Sequence, residues 1–122
     1  MNKDSDNKVK ERSHSEPPLY KHHLTAVGKL AYARGTRPVV DCIFCAVRDN
    51  NPKVTSLKIY QEDDFMICLN LYPYNPGHLM VIPTEHLQKF SDLSPNQRNR
   101  LFELTIACQN MLQSVFNPSG FN

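Results

Sequence analysis

Cys42-Ile43-Phe44-Cys45 places two thiols three positions apart, the spacing at which one zinc ion takes two thiolates, and His86 offers an imidazole further along. A closed structural zinc site wants four ligands, and the residues alone identify no fourth. The same pair also reads as two plain buried thiols. A second histidine, His78, follows the corner Tyr72-Pro73-Tyr74-Asn75-Pro76-Gly77. Two prolines fix φ there and a glycine is free to take positive φ, so the corner is rigid and unusually shaped. Asn70 ends the segment before it, and a hairpin would bring its amide and His78 to one end of a sheet. Such a histidine either serves a reacting group or satisfies a backbone carbonyl, and both readings stand at this point. Glu62-Asp63-Asp64 read as solvated turn carboxylates. A Gly-rich phosphate loop, a Gly-x-Ser-x-Gly elbow, an HExxH pair and a calcium loop are all missing.

The elements that must position these groups follow from the hydrophobic pattern. CIFCAV is a short apolar run, a turn of helix or a strand, that leads into the polar loop RDNNP. SLKIYQ alternates, with Leu57 and Ile59 on one face. FMICLNLY and HLMVIP are apolar on both faces, as central strands covered on both sides would be, and the three segments predict an antiparallel meander. Ser94-Pro95-Asn96-Gln97 carries a cap, a first-turn proline and the partner of a capping box. Leu101, Leu104, Cys108, Met111 and Val115 then recur at steps of three and four, the stripe of a helix that packs on the sheet. Asn117-Pro118-Ser119-Gly120 stops it, and Phe121-Asn122 begins what reads as another strand. Cys68 and Cys108 fall within apolar patterns and read as core.

With 122 residues, 40% hydrophobic and 21% charged, the chain fits one domain with a modest core. A formal net charge of +2 gives no bias toward nucleic acid. No apolar run reaches the roughly 18 residues of a membrane span, and the polar N-terminus is unlike a signal peptide, so the expected compartment is the cytoplasm and the cysteines are expected as thiols or metal ligands. Residues 1–20 mix four Lys/Arg with four Asp/Glu and little to bury, which predicts a disordered tail. Residues 21–41 form a basic, partly ordered extension with Lys21, Lys29, Arg34 and Arg37. These cations read either as solvated surface or as contacts to phosphates or partners. Residues 42–122 form the domain.

Taken together, CIFCAV, IYQEDDFMICLNLYPYNPGHLMVIPTEHLQKFSDL, the capped helix and PSGFN resemble the N-terminal two thirds of a histidine-triad (HIT) domain. The likeness is strongest to the diadenosine tetraphosphate phosphorylase or hydrolase branch, where NLYPYNPGHLMV is a familiar string. The resemblance implies an α+β fold with an antiparallel sheet, assembly as a homodimer, and a pocket for an adenine nucleotide or dinucleoside polyphosphate. It implies that Asn70 bonds the ribose hydroxyls, that Ile43, Phe44, Phe65 and Leu69 enclose the base, and that His78 orients a neighbouring catalytic imidazole. It also implies zinc at Cys42, Cys45 and His86. No membrane partner is expected.

The family's His-x-His-x-His, whose middle histidine is the nucleophile, is matched by none of the five histidines at 14, 22, 23, 78 and 86. The chain therefore reads as a domain that ends before the triad, a nucleotide-binding relative of enzymes that cleave dinucleoside polyphosphates, inactive as it stands. Removing a covalent nucleophile costs several powers of ten in rate. A zinc-stapled, non-catalytic interaction module is the alternative.

Overall fold

In a computed structural model the chain is described over residues 29–122, apart from Thr36 and Tyr74. The tail expected at 1–20 and the first residues of the extension, 21–28, lie outside the described residues. The described elements are α1 (Lys29–Ala33), α2 (Ile43–Arg48), β1 (Lys58–Gln61), β2 (Phe65–Leu69), β3 (Leu79–Pro83), a short 3-10 turn (Phe90–Asp92) and α3 (Pro95–Phe116). The fold is α+β: one antiparallel sheet in the order β1-β2-β3, with the long helix α3 after it. No helix among the described residues is long and apolar enough to cross a membrane.

The sheet forms because β2 has apolar side chains on both faces. In the β2–β3 register Phe65 faces Pro83, Ile67 faces Val81 and Leu69 faces Leu79. Successive side chains point to opposite faces. Met66 and Cys68 join Ala46 and Val47 of α2 and Val54 of the following loop in one core, with Ile43, Met80 and Ile82 at its edge. Phe65 and Ile67 join Leu93, Leu104 and Cys108 in a second core beneath α3. Both cysteines expected in the core, Cys68 and Cys108, are buried. CIFCAV resolves as a helical turn.

At β1 the expected pairing of Leu57 with Ile59 on one inward face is not what forms. The register between β1 and β2 shifts between Lys58 and Tyr60, so Ile59 is the extra residue of an irregularity and is exposed. A bulge breaks the alternation that the sequence pattern assumes. Glu62 departs from the solvated reading as well. Its carboxylate takes both a 2.8 Å bond from Arg100 Nε and a 2.6 Å bond from Arg100 Nη2, and it accepts from Tyr60 Oη. With Gln97 Nε2 donating to Asp64, this clamps the β1–β2 turn to the first turns of α3.

Helix α3 starts as its sequence dictates. Ser94 accepts from the Gln97 N–H, the Gln97 side chain accepts from the Ser94 N–H, and Pro95 follows the cap. It stops at Asn117, which takes the left-handed conformation at φ 44°. The expected stripe holds only in part. Leu104 and Cys108 are buried and Leu101 is half-buried, but Met111 is 42% and Val115 66% exposed. The reason is length: 22 residues run about 33 Å at ~1.5 Å each, while a five-residue strand covers about 17 Å. Beyond the sheet the helix leans on the hairpin corner through Leu112 and Phe116, and a Cβ added at Gly77 would lie 3.0 Å from Leu112 Cδ2. Phe121 and Asn122, where another strand was expected to begin, form none.

Two stability outcomes follow from these contacts. Leu104→Ala is expected to lower the unfolding free energy by about 2–5 kcal/mol in denaturant titration. The Arg100 guanidinium holds the Glu62 carboxyl below its ordinary value of 4.5. Its contribution is therefore present above that ordinary value and is lost as pH falls through the lowered one. Glu62→Gln should melt earlier than the parent chain at neutral pH, and the gap should close on acidification.

Candidate functional site

Two candidate sites flank β3, one at each end. The first is built on α2. Cys42 precedes the helix in extended backbone, with φ −142° and ψ 121°, and Cys45 sits in the first turn. The Ala46 N–H donates to the Cys42 carbonyl at 3.0 Å, which closes that turn and brings both sulfurs to one side. His86 arrives from the segment after β3. That segment is tied down by the Thr84 N–H donating to the Asp64 carbonyl and by Arg48 Nη1 donating to the Thr84 carbonyl at 2.7 Å. Arg48 also binds Asp49, and Lys58 Nζ donates to the Arg48 carbonyl, so the helix end is fixed to β1 as well. Neither cation stands out in the sequence, because an arginine in a last helical turn has no motif; only the structure shows that Arg48 seats His86.

The outcome is a cluster in which the ligand atoms of Cys42, Cys45 and His86 all lie within 4.8 Å of one another, with Cys45 Sγ 3.3 Å from His86 Nδ1. A tetrahedral zinc ion with the usual bond lengths separates a sulfur and a nitrogen ligand by roughly 3.6 Å, so the Cys45–His86 pair is within a few tenths of an ångström of that spacing. The backbone N–H of Cys45 lowers the Cys42 thiol below its ordinary 9.0, against some opposition from burial. Burial and the neighbouring Cys42 push Cys45 the other way. The cluster borders a cleft of about 400 Å³ that Asp41, Asp49 and Asn51 also line. Among the described residues the metal-ligating group consists of these three side chains.

The second candidate site is the hairpin corner. The Asn70 N–H donates to the His78 carbonyl at 2.9 Å, which closes the hairpin just beyond the strands. The Asn70 side-chain oxygen accepts from the Tyr72 N–H, and its Nδ2 lies 3.3 Å from His78 Nδ1. The amide and the imidazole do come together at one end of the sheet. His78 also lines a cleft of about 470 Å³ between β3 and the far half of α3, whose walls include Leu79, Val81, Leu112 and Phe116.

The four apolar residues that the resemblance assigns to a base fall in different surroundings. Ile43 packs against the α2-side core, whereas Phe65 is 0% exposed beneath α3 on the opposite sheet face. Phe44 and Leu69 are exposed, at 42% and 40%. Two of the four stand on α2 and two on β2, and Phe65 is fully buried in the sheet core.

Residues 50–122 match the HIT domain family. The chain belongs to the HIT family. Cys42 and Cys45 precede the matched residues. An AP-4-A phosphorylase of Mycobacterium tuberculosis is 43% identical over 54 residues, 44% of this chain and 28% of that protein. The crystal structure of a HIT family protein from Bacillus anthracis is 30% identical with a TM-score of 0.60, covering 67% of this chain and 57% of the other. That of a zinc-bound histidine triad family protein from Mycobacterium smegmatis aligns with a TM-score of 0.59 at 23% identity, over 67% of this chain and 58% of the other. The HIT chain described here therefore spans under a third of the first of these relatives and a little over half of each solved structure.

Zinc titration checks the α2 cluster. The chain is expected to bind about one zinc ion, and Cys45→Ser or His86→Ala should each lower the affinity at least tenfold. Cobalt in place of zinc should give a thiolate charge-transfer band that weakens in Cys45→Ser.

Proposed function

We propose that this part of the HIT fold is a zinc-stapled, non-catalytic module in which Cys42, Cys45 and His86 hold a metal ion that joins α2 to the segment after β3. The observation that carries the reading is the convergence of three metal donors from positions 41 apart in sequence, held by hydrogen bonds that do not involve the metal. Zinc supplies a cross-link there, and its binding free energy becomes folding free energy for a chain with small cores. The two histidines among the described residues, His78 and His86, each have a place in one of the two sites.

A specific observation favours a second reading, that the Asn70 end of the sheet binds an adenine nucleotide or dinucleoside polyphosphate. The Asn70 amide is oriented by the Tyr72 N–H and by His78 at a rigid corner, and an amide both donates and accepts at a sugar diol. The exposed Leu69 beside it offers apolar surface to a base. The AP-4-A phosphorylase relative, by its name, points to the same ligand class and to the branch this chain resembles. In this reading His78 positions Asn70. Residence in the cytoplasm and assembly as a homodimer belong to the same proposal.

Titration of the zinc-loaded chain with adenosine nucleotides separates the two. Binding that weakens about tenfold on Asn70→Ala supports a nucleotide site, while stoichiometric zinc with no nucleotide response leaves the module alone. Sustained cleavage of diadenosine tetraphosphate by the purified chain would overturn the non-catalytic assignment.

A further inference from the structure

The short segment that precedes α2 reaches the hairpin corner through aromatic contacts. The Tyr32 ring of α1 lies 5.3 Å from the Tyr72 ring, centroid to centroid, at an interplanar angle of 47°. Tyr72 is the residue whose N–H fixes the Asn70 amide. On Tyr32 sits Arg37, its guanidinium carbon 5.1 Å from the ring centroid and its Nε donating to the Tyr32 carbonyl at 3.3 Å. Two of the guanidinium's contacts are thus local, and they hold the fork in place rather than neutralise it. Arg37 is exposed, as is Arg34 on the same segment, and neither takes part in an ion pair among the described residues. The first acid after them in sequence, Asp41, is exposed too.

We propose that Arg37, seated on Tyr32 and brought to the corner by the Tyr32–Tyr72 contact, is a subsite for the outer phosphates of a polyphosphate nucleotide whose sugar lies at Asn70. The inference rests on the nucleotide reading above and names what that reading leaves open, a cation for the phosphate chain. A planar guanidinium fixed along one edge presents its terminal N–H groups as a preset fork for phosphate oxygens, which a loose surface arginine does not. The order along the surface is amide, aromatic pair, cation, which matches a ligand with a sugar at one end and charge displaced from it.

Calorimetric titration of the full 122-residue chain with adenosine, ATP and diadenosine tetraphosphate tests this. Arg37→Gln is expected to weaken both polyphosphates about tenfold and leave adenosine unchanged, and Arg37→Lys to recover part of the loss by restoring charge without the fork. If the parent chain binds none of the three, the nucleotide reading fails and takes this subsite with it. If it binds them and Arg37→Gln changes all three equally, or none, the phosphate subsite is overturned while the Asn70 site stands.

Discussion

Strand β2 is buried on both faces, and every other element takes its place from that constraint. Phe65, Met66, Ile67 and Cys68 are four consecutive buried residues, so the strand needs cover from two sides. Helix α2 with the loop through Val54 gives one cover and α3 gives the other. A slip of one residue in the β2–β3 register would turn Met66 and Cys68 toward α3 and Phe65 and Ile67 toward α2, exchanging a large ring for a small thiol in each core. Neither core could absorb that volume change without strain or a cavity. The register is therefore set by side-chain volume on both faces, and it fixes where the hairpin closes: the Asn70 N–H meets the His78 carbonyl, and the corner with its amide follows.

The same two-sided burial sets Ile43 and Phe65, two of the residues that the resemblance assigns to a base, in different cores. Periodicity marks Phe65 and Ile43 as apolar but says nothing of which cover each one meets, since β2 has two apolar faces and no polar one to break the tie. Phe65 lies in the core beneath α3 while Ile43 packs against the core beneath α2. Local signals fared better. Ser94, Pro95 and Gln97 specify their cap through bonds spanning three residues, and the structure contains both halves of that box. Asn117 likewise stops α3 by its own left-handed backbone. The bulge at Ile59 and the Arg100–Glu62 clamp were not legible, because each depends on a partner strand or helix that sequence spacing does not name.

The metal cluster lies between these cases. The thiol spacing is local and was readable, as was the candidacy of His86, but the placement of that histidine depends on contacts with no sequence signature. Arg48 reaches across to the Thr84 carbonyl, and the Thr84 N–H bonds the Asp64 carbonyl in the turn before β2. These bonds set the approach of His86 to within 3.3 Å of Cys45 before any ion is considered. A site held in this way is preorganised, and an ion entering it needs little rearrangement of the chain.

Position along β3 decides what such an ion can do. His78 precedes the first residue of that strand and His86 follows its last by three, so the two candidate sites lie at opposite ends of it. Five residues of extended chain put them roughly 17 Å apart or more. A cation polarises a group it touches, and over such a distance through protein and solvent its field on a ligand at Asn70 is largely screened. Lewis-acid assistance needs direct coordination of the reacting oxygen. The α2 cluster is too far from the corner to give it, so an ion held at Cys42, Cys45 and His86 would steady the fold and would not act on a group at Asn70.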